Sequence, residues 1–227
     1  MKTPWVRLVL VVSLDGRIAL PCGGKTQLGS KADRHVLEEA LAWSDGALLG
    51  GRTLRAHRNT CLINNHNLLK QRQSEGRSKQ PIAIVVSNQK DVNENLPFFN
   101  QPIERWLVSS NEASTKYSLA SYYERQFMLQ ANNWSETLSQ IAQAGLSRLV
   151  LLGGAQLVGS FLKDDQVDEL QITLAPKIIG GEFTWVPNDV NNLPQALAQS
   201  NAWLLKESQS LIENELLLRY VRNHSPK

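Results

Sequence analysis

The chain has 227 residues, 42% hydrophobic and 20% charged, which is enough to bury one large core and unlike a disordered or fibrous sequence. Its 24 Lys and Arg nearly match 21 Asp and Glu, and the small net charge of +3 excludes a nucleic-acid arm. Cys22 and Cys61 form no CxxC pair, and His35, His57, His66 and His224 lack i, i+4 spacing, so neither a disulfide framework nor a structural metal site is expected and a cytoplasmic, thiol-reduced chain is.

The opening WVRLVLVVSLDG is broken by Arg7 and closed by Ser13 and Asp15, too short for a membrane span and without a signal-peptide cleavage region. It reads as a buried first strand over 6–12. A helix follows over 30–44, where Ser30 of SKAD can cap, Asp33 can answer it, and Val36, Ala40 and Trp43 share a face. Strands are expected at 47–49, 82–86 and 105–108 as continuous apolar runs, which suit a mainly parallel sheet covered on both faces. Between the first two of these lies a long polar stretch, 59–80, either a functional loop or a mobile insertion. Asn133 caps a helix that Gly145 stops, and 149–152 is the next strand. The alternation is βαβ. Strands at 170–175, 202–206 and 215–221 close the chain, the last two joined by the turn SQSLIENE, so an antiparallel edge is expected on the parallel sheet.

The glycine doublets carry the chemistry. In LVLLGGAQLVGSFL, Gly153-Gly154 joins a strand to a helix whose buried stripe is Leu157, Val158, Phe161 and Leu162. The first turn of that helix offers free N–H groups and a positive dipole end, which suit a pyrophosphate; a tight turn without ligand is the plainer alternative. ALLGGRTLR repeats the arrangement, with Arg52 and Thr53 in the opening turn, and IAIVVSNQK ends its strand on Ser87 and Asn88, with Lys90 close behind. Three strand ends with anion-binding groups point to an extended cofactor, and a dinucleotide with an extra phosphate would use them all. The carboxylates of VDEL fall on opposite faces of a strand, which disfavours a glycosidase pair, and the six tryptophans are scattered as core or interface anchors.

GRT, VVSNQ and LLGGAQL together resemble the dihydrofolate reductase folds. SLDGRIA, SKADRHVLEEALAWSDGALLGGRT and VDELQITLAPKIIGG are similar, more finely, to the riboflavin-biosynthesis pyrimidine reductases. The resemblance implies an α/β fold with a mainly parallel central sheet, an antiparallel C-terminal edge and helices on both faces. It implies one reductase domain over 1–227, without the HxE…PCxxC deaminase often fused to it, acting as 5-amino-6-(5-phosphoribosylamino)uracil reductase with NADPH. Ser30, Gly50, Thr53, Ser87, Gly153, Gly154 and Ala155 would lie along NADPH, with Arg52 and Asn88 helping. Ser13, Asp15, Gly16, Gly24 and Arg58 would meet the substrate, and Asp15 would be a general acid or a turn cap. A homodimer is expected from the resemblance and from the apolar stretch ITLAPKII, whose strand edge needs cover.

The chain departs from the resemblance where many relatives are polar: Val9 replaces a Lys or Asn, Leu152 a Glu before the doublet, and HRN at 57–59 a DNP-like segment. The cofactor side of the pattern is intact and the substrate side is not. A reductase of the same fold acting on a pterin-like or carbonyl compound, and a noncatalytic nucleotide-binding relative, therefore stay open.

Overall fold

The computed structural model describes residues 3–24, 27–88, 93, 95–110, 122–130 and 133–223, so Lys90 and His224 lie outside the described residues. In chain order the elements are β1 (Trp5–Ser13), α1 (Lys31–Trp43), β2 (Gly46–Gly50), α2 (Gly51–His57), α3 (His66–Ser74), β3 (Ile82–Val86), β4 (Arg105–Ser109), β5 (Arg125–Met128), α4 (Trp134–Gln143), β6 (Arg148–Leu151), α5 (Ala155–Lys163), β7 (Glu169–Ala175), β8 (Trp203–Ser210) and β9 (Leu216–Arg222). The chain forms two compact units, the first of residues 1–4 and 38–150, the second of 5–37 and 151–227.

The first unit orders its strands β5-β4-β3-β2-β6, and the β2–β3, β3–β4 and β4–β5 pairs are parallel. Val85, Leu107 and Leu49 from the strands pack with Leu54 of α2 and with Phe98, which is fully buried. The continuous apolar runs produce the buried strands they predict. β5 escapes that logic, because RQFM is only partly covered and polar at its start. It is held by pairing with β4 and by the Trp106–Phe127 contact, ring centroids 5.3 Å apart.

The polar stretch 59–80 is neither a loop nor an insertion without structure, because it contains α3. Asn65 caps this helix, its side chain accepting from the N–H of Asn67 at 2.9 Å and of Leu68 at 3.3 Å. Glu38 accepts the N–H groups of Asn64 and Asn65, each at 2.9 Å. Arg72, 1% exposed, donates to the carbonyls of Leu41, Ala42 and Ser44 at the end of α1 and to Ser78 O. Its guanidinium satisfies carbonyls that a helix end leaves without partners. Because the one buried residue of α3 is an arginine, no apolar periodicity marks the helix.

The second unit orders β1-β7-β9-β8, with β1–β7 parallel and β7–β9 and β8–β9 antiparallel, which is the expected antiparallel C-terminal edge. The expected edge at ITLAPKII is corrected: β7 is paired on both sides, and the edge strand is β8, where Leu204 and Leu205 are exposed. The buried side chains of β7 are Glu169, Gln171, Thr173 and Ala175, so this strand turns its polar residues inward. Glu169 accepts from Trp5 Nε1 at 3.2 Å, lies 3.0 Å from Arg7 Nε and 2.7 Å from Arg219 Nη2, and is 3% exposed. Burial lowers the Arg7 guanidinium from its usual value, and the Glu169 charge opposes that. α5 buries Leu157, Val158, Phe161 and Leu162 as its sequence stripe predicts.

Candidate functional site

In the first unit, β2 and β3 run in parallel register with Gly50 opposite Val86, so the chain leaves them side by side as Gly51 and Ser87. An added Cβ on Gly51 would stand 2.6 Å from Ser87 Oγ, closer than any real contact. The second glycine of this doublet is therefore required by a neighbouring side chain and not by its own backbone angles. Gly50 is the N-cap of α2 in an extended conformation, Arg52 is exposed and Thr53 half-buried in the first turn. Arg58 follows the helix in the left-handed conformation, φ 65°, as its C-cap. Asn88 Oδ1 accepts from Ser110 N at 2.8 Å and Ser109 Oγ at 3.3 Å, tying the ends of β3 and β4 together and turning its amide donors the other way.

In the second unit, Gly153 has φ +86° and Gly154 is the N-cap of α5, with Ala155 its first residue. A Cβ at Gly153 would meet Leu10 Cδ2 at 3.6 Å, so β1 reaches the level of the doublet. Ser30 caps α1, accepting from Ala32 N at 3.0 Å and Asp33 N at 3.3 Å. Its expected partner is corrected: Glu215, not Asp33, completes the cap, accepting Ser30 N at 2.8 Å and Ser30 Oγ at 2.6 Å. The Ser30 hydroxyl has thus given its one proton to Glu215, and what it could offer a ligand is a lone pair. Desolvation raises the Asp33 carboxyl above its usual value, and the Glu215 charge adds to it against a hydrogen bond from Thr173. Glu215 lies 185 positions from Ser30, and no local pattern announces it.

The SLDG turn supports the turn-cap reading of Asp15. Ser13 Oγ donates to Asp15 Oδ1 at 2.5 Å, and Gly180 N and Ile179 N donate to the same carboxylate at 2.8 and 3.3 Å. The Ser13 hydroxyl, with these amides behind it, holds Asp15 down at about 2, where it has no proton to give at neutral pH. Asp15 instead ties the loop after β1 to the loop after β7. Gly16 and Gly24, at φ +75° and +80°, shape that first loop, and Gly23 is packed beneath Phe183. Because the folded carboxyl titrates below its ordinary value of 3.8, the tie is expected to be complete above about pH 4 and to fail as pH falls toward 2. Hydrogen exchange at the Gly180 amide measures this, and equal protection at pH 5 and pH 2 would contradict it.

Among the described residues no group of three or more His, Cys, Asp and Glu could hold a metal ion, and no helix is long and apolar enough to cross a membrane. Residues 4–212 match the family model described as the RibD C-terminal domain. The riboflavin biosynthesis protein RibD of Buchnera aphidicola is 29% identical over 190 residues, covering 78% of this chain and 49% of its own length. The chain therefore spans about half of that relative. The 2,5-diamino-6-ribosylamino-4(3H)-pyrimidinone 5′-phosphate reductase of Archaeoglobus fulgidus is 24% identical over 186 residues, covering 78% of this chain and 83% of its own. The deaminase/5-amino-6-(5-phosphoribosylamino)uracil reductase structure from Thermotoga maritima superposes with TM-score 0.78 at 14% identity, over 97% of this chain and 57% of that one. Dihydrofolate reductase from Enterococcus faecalis, complexed with NADP(H), follows the same path with TM-score 0.58 at 13% identity, over 98% and 99%. The fold is that of dihydrofolate reductase, and the chain belongs to the RibD C-terminal domain family.

Proposed function

We propose that the chain is an NADPH-dependent reductase of riboflavin biosynthesis acting on a phosphoribosylamino-pyrimidine, with 5-amino-6-(5-phosphoribosylamino)uracil as its substrate. The observation that carries this reading is the family match over residues 4–212, and the reductase name of the Archaeoglobus relative supports it. A single reductase domain, a cytoplasmic location and a homodimer belong to the same proposal, and the exposed leucines of edge strand β8 favour the homodimer.

Gly50, which caps α2 in an extended conformation, and Gly153, whose positive φ opens the turn before α5, each support a nicotinamide dinucleotide. Gly50, Arg52, Thr53, Ser87 and Asn88, and Ser30, Gly153, Gly154 and Ala155, are the residues assigned to NADPH. When bound, NADPH supplies hydride. The chain's own part is to bind and orient. Ser13, Gly16, Gly24 and Arg58 are assigned to the substrate, and Asp15 acts by positioning Ser13 and the 179–180 backbone rather than by giving a proton.

A second reading, the same fold reducing a pterin-like or carbonyl compound, is favoured by Val9 and Leu152. Val9 is buried at 9% exposure and Leu152 half-buried, so neither offers a hydrogen bond. Assay of NADPH oxidation with each substrate class separates the two.

NADPH is expected to bind at least tenfold more tightly than NADH. No acidic residue ends β3 to hold a free ribose 2′-hydroxyl, whereas a 2′-phosphate gains charge-assisted contacts of about 1.5–3 kcal/mol each. Fluorescence titration measures both, and equal affinities would remove the cofactor assignment.

A further inference from the structure

We propose that Glu215 and Asp33 compete for the first turn of α1, so that Ser30 is either latched to the segment before β9 by Glu215 or released from it when Asp33 closes a cap within its own helix. The latch lies wholly within the second unit and stands apart from the reductase reading.

Ser30 N and Ser30 Oγ both donate to the Glu215 carboxylate, at 2.8 and 2.6 Å, and Glu215 is 3% exposed. A carboxylate is favoured there, because the first turn of a helix leaves amides without partners and carries the positive end of the dipole. Asp33 stands three residues after the cap, the position from which an acidic side chain ordinarily reaches back to the cap amide. It does not, since Glu215 holds that amide. Asp33 instead accepts from Thr173, 2% exposed on β7, and its carboxyl lies against the place where a Cβ of Gly29 would stand. Two carboxyls thus crowd one helix end that suits one charge.

The turn that delivers Glu215 is itself strained. Glu213 and Asn214 both have positive φ, 64° and 60°, a conformation that residues with side chains rarely adopt in succession. Leu211 N donates to Glu215 O at 2.8 Å and closes this turn. Release of the carboxylate lets the turn relax, which makes the second state accessible.

Protonation decides between the states. Desolvation holds the Asp33 carboxyl above its ordinary 3.8 against the Thr173 hydrogen bond, Glu215 adds to the rise, and Arg34 of the same helix opposes it. From the loop after β7, Lys177 gives its ammonium to Leu28 O at 2.6 Å, and His35 is exposed on α1. A closed cap would give Asp33 an amide and the helix dipole, which lower its titration instead. The latch is therefore complete while Asp33 keeps its proton and is lost as pH rises through the raised value. The Asp15 tie, at the other end of the same loop, fails in the opposite direction as pH falls. Loop 14–30 is thus held at both ends only between the two titrations.

The test is hydrogen exchange at the Leu211 amide, expressed as protection relative to the unfolded chain, at pH 5 and pH 8. It uses the full chain and its Asp33→Asn, Glu215→Ala and His35→Gln variants. The parent is expected to lose protection about tenfold or more between the two pH values, the effect of one unit of difference in the Asp33 titration between the states. Asp33→Asn, uncharged at both, is expected to keep the parent's pH 5 protection within about twofold. Glu215→Ala is expected to be equally low at both, and His35→Gln to follow the parent. Equal protection of the parent at pH 5 and pH 8 overturns the proposal. So does a parental fall in Asp33→Asn or Glu215→Ala, or its disappearance in His35→Gln. If Glu215→Ala does not fold, the parent and Asp33→Asn decide between them.

Discussion

Glu169→Gln is expected to lower the stability of the protein by about 3 kcal/mol. The carboxylate stands among Arg7, Arg219 and Trp5 and is 3% exposed. Glutamine keeps its size and offers one acceptor where there were two, with no charge. Arg7, whose side chain is 10% exposed, would then lose its adjacent carboxylate in a buried site and keep the Glu207 charge and the Gln171 oxygen at 3.5 Å. An uncompensated buried charge typically costs about 3–5 kcal/mol, and the lower end applies because the Arg219 side chain is 32% exposed and keeps Glu207 at 2.9 Å. Glu207→Gln, at the exposed end of the same network, is expected to cost less than about 1 kcal/mol. Urea unfolding of the two variants beside the parent measures both. If the Glu169 variant unfolds at the parental midpoint, the ion network does not stabilise this unit, and the polar inward face of β7 needs another account.

That network also shows where sequence reading stops. Strands β2, β3, β4 and β6 were legible because each is a continuous apolar run, and α5 because its four large buried residues repeat at helical spacing. β7 was legible as a strand, but ELQITLA gives no sign that Glu169, Gln171 and Thr173 face inward while the leucines do not. What reverses the pattern is Arg7 on β1 and Arg219 on β9, residues far apart in the chain that pairing brings together. α3 was hidden for a related reason, since its buried residue is a charged one whose partners are backbone carbonyls. In the site, the glycine turns and the strand ends could be read from local pattern. The partners of Ser30 and Asp15 could not, because Glu215 and the Gly180 amide come from elsewhere in the chain.

Activity of the wild-type protein on the phosphorylated pyrimidine is expected to be weak, and Val9→Lys combined with Leu152→Glu is expected to raise it a few hundredfold. The resemblance places polar residues at these two positions in many relatives, facing the sugar phosphate. A hydroxyl or phosphate that arrives beside Val9 and Leu152 loses water and regains nothing from either side chain. Each missing contact costs about 1–3 kcal/mol, and two at about 1.7 kcal/mol each correspond to a few hundredfold in kcat/KM. Val9→Lys alone is expected to destabilise the protein, because Val9 is 9% exposed and its partner across to β7 is the buried Gln171. The pair must therefore be introduced together and its melting compared with the parent before rates are read. NADPH oxidation by the folded double variant against wild type decides the matter. Robust wild-type turnover that the double change destroys would mean that this chain satisfies the sugar phosphate with other groups, Arg58 and Lys70 being the nearest candidates in sequence. A folded double variant no faster than a sluggish parent would instead direct the search to a substrate that has no phosphate to hold.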